Sequence, residues 1–136
     1  MDFAAARALE ESTLIEGPLT KQIIGAAIEV HSQLGPGLLE STYEVCMCHE
    51  FAARGLAFKR QLDLPVHYKG VALDCGYKID ILVEDKVILE LKAVEAILPV
   101  HEAQLLTYLK LGGKRVGFLM NFHVPRMSLG IVRKVL

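Results

Sequence analysis

Two runs of alternating residues, Lys78-Ile79-Asp80-Ile81-Leu82-Val83 and Val87-Ile88-Leu89-Glu90-Leu91-Lys92, flank the three polar residues Glu84, Asp85 and Lys86. Aliphatic, β-branched runs broken by a short polar segment predict a β-hairpin. The side-chain pattern selects its register. With a three-residue loop centred on Asp85, Leu82 faces Ile88, Asp80 faces Glu90 and Lys78 faces Lys92. The other side then carries Ile79, Ile81 and Val83 against Val87, Leu89 and Leu91 and is wholly apolar. A two-residue loop would set Ile79 against Glu90 and mix the faces, because a one-residue slip turns every side chain of a strand over. The register that sorts the apolar residues therefore also brings Asp80, Glu90 and Lys92 onto one side of a sheet.

Glycine and proline divide the rest of the chain. Thr20 is placed to cap a helix reaching Leu34, with Ile23, Ile24, Ala27, Ile28 and Leu34 as its apolar stripe. Gly35-Pro36-Gly37 stops it, and a second helix is expected from Leu38 to Arg54, ended by Gly55. From Ala57 the period changes to that of strands, expected over 58–68, 72–83 and 87–94. Pro99 opens a third helix to Leu111, and strands over 114–122 and 129–135 complete the chain. Residues 1–16 read as a short helix or frayed arm, so the expected organisation is an arm over 1–19 and a single domain over 20–136. Helices, a strand meander, a crossover helix and further strands define an α/β layout in which the late strands join the same sheet.

The chain has 136 residues, enough to close one core. Its apolar runs, such as 87–89 and 117–120, fall far short of the roughly 20 residues a membrane helix needs, so no membrane partner is expected. Residues 1–11 hold three acids and one arginine with no apolar stretch, which argues against a secretory signal and for the cytoplasm. Cys46, Cys48 and Cys75 form no CxxC pair and are expected to be free, mostly buried thiols. A net charge of −1 argues against a general polyanion binder, but no acid follows Glu102, whereas Lys110, Lys114, Arg115, Arg126, Arg133 and Lys134 do. A basic face on the C-terminal half is compatible with nucleic acid.

Two carboxylates about 5 Å apart on a pleated face repel unless something neutralises them. A lysine bridge is one answer and would leave only a charged surface. A divalent cation is the other. Oxygen ligands suit Mg²⁺ or Mn²⁺, which polarises phosphorus and acidifies a bound water, while Lys92 would orient that water. On the third helix His101, Gln104 and Tyr108 share a polar face opposite Leu105, Leu106 and Leu109, which is either an ordinary half-exposed face or one fit to bond phosphate oxygens or to hold Lys92. Glu40 opens the second helix, where it either complements the helix dipole or adds a metal ligand, and Tyr43 lies on its side. Gly112-Gly113-Lys114 lacks the remaining residues of a phosphate loop, and no serine or cysteine sits in a nucleophile motif.

Gly37-Leu38-Leu39-Glu40-Ser41-Thr42-Tyr43, with the preceding 30–36, resembles the motif that names the GxxExxY proteins. Segments 77–83, 90–93, 101–109 and 117–122 resemble the same family, so the likeness covers about residues 20 to 136. It implies the restriction-endonuclease-like PD-(D/E)XK core, αβββαβ, with a mixed central sheet flanked by helices. It further implies Asp80 and Glu90 as metal ligands, Lys92 as the catalytic lysine and Glu40 as a helix-borne acid. Gln104 and Tyr108 fall where RecB-type exonucleases carry a QxxxY element, although those relatives often have a histidine where this chain has Glu40. The expected function is a Mg²⁺- or Mn²⁺-dependent nuclease hydrolysing phosphodiester bonds in nucleic acid, with DNA as substrate and a homo-oligomer as a possible state. The alternative is a non-catalytic or partner-dependent module that binds nucleic acid or protein on the same fold.

Overall fold

Proline sets where the first helix begins. The computed structural model describes residues 15–136, so most of the expected arm lies outside the described residues. Helix α1 spans Gly17–Leu34, four residues earlier than a Thr20 cap requires. Pro18, with its fixed φ and missing N–H, suits the first turn, and Thr20 instead donates its hydroxyl to the Gly17 carbonyl at 3.1 Å. Helix α2 spans Glu40–Ala53 and α3 spans Pro99–Gly112. The turn between α1 and α2 uses positive φ at Gly35 and Gly37, at 66° and 103°. Tyr43 locks it: its hydroxyl donates to the Gly35 carbonyl at 2.6 Å and accepts from the Leu38 N–H at 3.2 Å. Its ring stacks on Phe122 with centroids 4.4 Å apart.

The strands are β1 Phe58–Asp63, β2 Val66–Tyr68, β3 Val71–Leu73, β4 Lys78–Val83, β5 Val87–Lys92, β6 Val116–Asn121 and β7 Ile131–Val135. Two strands expected as continuous, 58–68 and 72–83, are each broken, and β2 and β3 pair only with each other. Pro65 supplies no ladder donor, and Asp74 accepts the Gly76 N–H at 3.0 Å in a side-chain-closed turn. That turn also exposes Cys75, against the expectation of burial, while Cys48 is buried and all three thiols are free.

Strand order in the central sheet is β1-β4-β5-β6-β7. Only β5 and β6 run parallel, joined through α3. Helices α1 and α2 cover one face, packing Ile23, Met47 and Phe51 on Ile81, Leu89 and Phe118. Helix α3 covers the other with Leu105 and Leu109 on Ile88 and Leu119. No helix among the described residues is long and apolar enough to cross a membrane. The close approach of α3 depends on Gly117, where a Cβ would lie 2.8 Å from a Leu105 methyl and 3.1 Å from the Ile88 carbonyl oxygen. Gly117→Ala is expected to destabilise the fold by about 1–3 kcal/mol through overpacking. In urea this should lower the unfolding midpoint at unchanged slope; an unaltered midpoint would refute the close-packing account.

The hairpin adopts the odd loop, pairing Val83 with Val87, Leu82 with Ile88 and Ile81 with Leu89. The apolar face is not continuous as expected, however. Ile79 packs with Leu82 and Ile88 on the α3 side, whereas Ile81 packs beneath α1 and α2. The alternation turns over at Asp80. Its neighbour across the β1–β4 ladder is Gln61, whose φ of 51° is left-handed, and the ladder passes from Arg60 and Ile81 to Leu62 and Ile79 without joining those two residues.

Candidate active site

Beyond Ile81 and Leu89 the β4–β5 ladder opens, and carboxylates take the place of backbone acceptors. The Asp80 N–H donates to Glu90 Oε1 at 3.2 Å, and the Leu91 N–H donates to Asp80 Oδ2 at 2.8 Å. Register thus brings Asp80 opposite Glu90 as expected, but the two do not share a face. Asp80 turns towards α2 and lines a cleft of about 210 Å³ with Glu40, Ser41, Glu44, Gln61 and Leu91. Glu90 follows the parity of Ile88 towards α3. Each carboxyl group thus reaches across the gap to the backbone of the opposite strand, and the charge of Asp80 bears on Glu90.

Burial, then the negative charge of Asp80, pushes the Glu90 carboxyl up to about 8. Burial likewise raises Asp80, with Glu44 adding to the effect and the Leu91 N–H opposing it. Lys92, two residues beyond Glu90 and half-buried, lowers the proton affinity of both. Glu40, at the first turn of α2, accepts the Ala93 N–H at 3.1 Å and so is brought to the end of β5. Gln104 donates to the Tyr108 hydroxyl at 3.0 Å, and the Tyr108 ring meets Tyr77 edge-on at 6.0 Å. Burial first, then the charge of Glu90, raises the Tyr108 phenol, which places that side chain within reach of the carboxylates' field.

Two of the candidate residues bond to backbone groups at helix starts. Tyr43 is fully buried with its hydroxyl committed to the turn, so it fixes the start of α2 and thereby Glu40. His101 Nδ1 accepts the Leu98 N–H at 2.9 Å and secures the start of α3. Two further side chains at this end of the sheet escape a sequence reading. Buried Glu44 accepts from Arg60 at 2.7 Å and from Gln61 at 2.5 Å, and its spacing of four from Glu40 was the available signal. Asn121 clips the chain after Lys92, accepting the Val94 N–H at 3.1 Å and donating to the Val94 carbonyl at 2.9 Å. Nothing in its local sequence marks that role.

The donor set suits a small divalent cation. Asp80 and Glu90 present hard oxygens whose mutual repulsion is relieved only in part by Lys92. Among the described residues no three His, Cys, Asp or Glu side chains converge as a ready cage. Mg²⁺ is commonly held in this way, by one or two carboxylates with water and phosphate oxygens completing the shell.

A mixed five-stranded sheet, helices on both faces and carboxylates at an opened hairpin together define a restriction-endonuclease-like α/β protein. Residues 17–134 match the family model described as the PD-(D/E)XK nuclease superfamily, and the chain belongs to that superfamily. No curated protein and no solved structure matches it.

Proposed function

We propose that this protein is a Mg²⁺- or Mn²⁺-dependent nuclease that hydrolyses phosphodiester bonds in nucleic acid, with DNA as its substrate and the cytoplasm as its setting. The observation that carries the reading is the meeting of Asp80 and Glu90 in the gap between β4 and β5, with Lys92 two residues further on. Asp80 and Glu90 would hold the ion, and Glu40 is the third candidate ligand. Such an ion would supply Lewis-acid polarisation of the phosphate and would lower the pKa of an attacking water. Lys92 orients the attacking water and offsets charge developing on the phosphate. Gln104 and Tyr108 donate hydrogen bonds to phosphate oxygens from the α3 side. Tyr43 and His101 keep the helices that carry these groups in place.

The test is incubation of the purified chain with single- and double-stranded DNA and RNA, with and without Mn²⁺. Cleavage that requires Mn²⁺ and stops on chelation is the expected result. No cleavage of any substrate, or cleavage indifferent to chelation, overturns the proposal.

One feature supports a second reading, a non-catalytic binding module. The β2–β3 ribbon exposes Tyr68 by 61 % together with Val71 and Leu73, and the Lys69 ammonium lies 5.5 Å from the Tyr68 ring centre. An exposed aromatic beside a cation suits stacking of unpaired bases. Metal-independent binding of single strands without cleavage would favour this reading.

A further inference from the structure

Gln61 stands out in the fold. It is a non-glycine residue in the left-handed region, at φ 51°, inside a strand whose ladder skips it. Backbone strain of this kind persists where surrounding contacts over-determine it. Arg60, Glu44 and Asp80 supply such contacts here. Arg60 Nε donates to Glu44 Oε2 at 2.7 Å, which fixes and neutralises a buried carboxylate. Glu44 Oε1 accepts one hydrogen of the Gln61 amide at 2.5 Å. The same amide nitrogen reaches Asp80 Oδ1 at 3.4 Å, and the other Asp80 oxygen accepts the Leu91 N–H at 2.8 Å.

We propose that Gln61 is a positioning residue, a clasp that sets the carboxylate of Asp80 by linking it to the Arg60–Glu44 pair on the α2 side. This rests on the reading of Asp80 as a metal ligand. The amide nitrogen is a donor with two hydrogens, so it can serve Glu44 and Asp80 together without choosing between them. Glu44, held by Arg60, fixes where that nitrogen sits. Asp80 is thereby bound from β1 through Gln61 and from β5 through Leu91, while its own backbone belongs to β4. A carboxylate tied from both sides loses its rotational freedom before a cation arrives, and groups of this outer kind tune both the orientation and the affinity of metal ligands. The left-handed conformation is what turns β1 over between Arg60, which meets Glu44, and Leu62, which packs on the α3 side. Without that turn the Gln61 side chain would follow the regular alternation of the strand.

The test uses Gln61→Gly and Gln61→Asn in the full chain. Glycine removes the amide and relieves the backbone; asparagine keeps an amide and tolerates positive φ but is one methylene shorter. Both variants are expected to melt at or above the wild-type temperature. Two signals should nonetheless change. Calorimetric affinity for Mn²⁺ should fall about 10- to 100-fold. In the metal-free protein the Leu91 amide, followed by nitrogen-edited NMR, should shift and exchange with solvent faster, because its acceptor is released. A folded Gln61→Gly protein whose Leu91 amide is as protected as in wild type overturns the clasp. Wild type that binds no Mn²⁺ would instead overturn the nuclease reading, and the Leu91 amide still decides the clasp alone.

Discussion

Lys92→Ala is expected to slow Mn²⁺-supported cleavage about 10²- to 10⁴-fold, the range for loss of a positioned proton-handling or charge-stabilising group. The fold should be unaffected. Lys92 is half-buried at the end of β5, and no ion pair ties it to a carboxylate among the described residues, so its removal strands no buried partner. Its electrostatic effect falls on Asp80 and Glu90, the two groups assigned to the metal. Asp80→Asn should behave differently. The amide oxygen still accepts the Leu91 N–H, so the strand opening survives, but the charge that attracts a cation is gone. Cleavage and Mn²⁺ affinity should then fall together, whereas in Lys92→Ala affinity is retained and only the single-turnover rate drops. Wild-type rates in both variants would assign any cleavage to a contaminant.

Glu90→Gln is expected to make the metal-free protein more stable at pH 8.5 while removing activity. Glu90 is 7 % exposed, and its carboxyl sits at about 8 against an ordinary 4.5. Because the folded chain holds this proton more tightly than the unfolded chain, the contribution is fully present below about pH 4.5. It is lost as the pH rises through about 8, where the carboxylate must be buried charged. Each pKa unit corresponds to roughly 1.4 kcal/mol, so the loss in the alkaline limit is at most about 5 kcal/mol. A neutral glutamine keeps an oxygen for the Asp80 N–H and escapes that loss. The expected gain at pH 8.5 is about 5–10 °C in Tm, shrinking to nothing near pH 5. Mn²⁺ at about one hundred times its Kd should stabilise wild type by about 2.7 kcal/mol and the variant by much less. Identical melting of the two proteins at both pH values would show that Glu90 carries no such burden. The pairing of lost function with gained stability is the usual mark of a site built from mutually repelling groups.

These expectations draw unequally on sequence and structure. Helices α1, α2 and α3 and the β4–β5 hairpin lie close to where their residues alone set them, because apolar period and glycine or proline punctuation act over a few neighbours. Register was legible for the same reason: only the loop centred on Asp85 sorts Ile81, Leu82, Ile88 and Leu89 cleanly, and that is the pairing found. Asp80 opposite Glu90 followed from it.

The geometry around those residues was not legible. Alternation predicted Ile79 and Ile81 on one face, and the fold separates them, because Gln61 enters the left-handed region and β1 and β4 turn over together at Asp80. That conformation is held by Glu44 and Arg60, so its cause lies in contacts between a helix and a strand rather than in any local run of residues. The same holds for Asn121, whose partner Val94 is 27 residues away. Sequence by itself determined the class of the sheet and which acids face each other across the hairpin, since those depend on short-range period and register. Tertiary packing alone decided that the strands part at Asp80 and that the two carboxylates, starting from opposite sides of the sheet, meet in the gap.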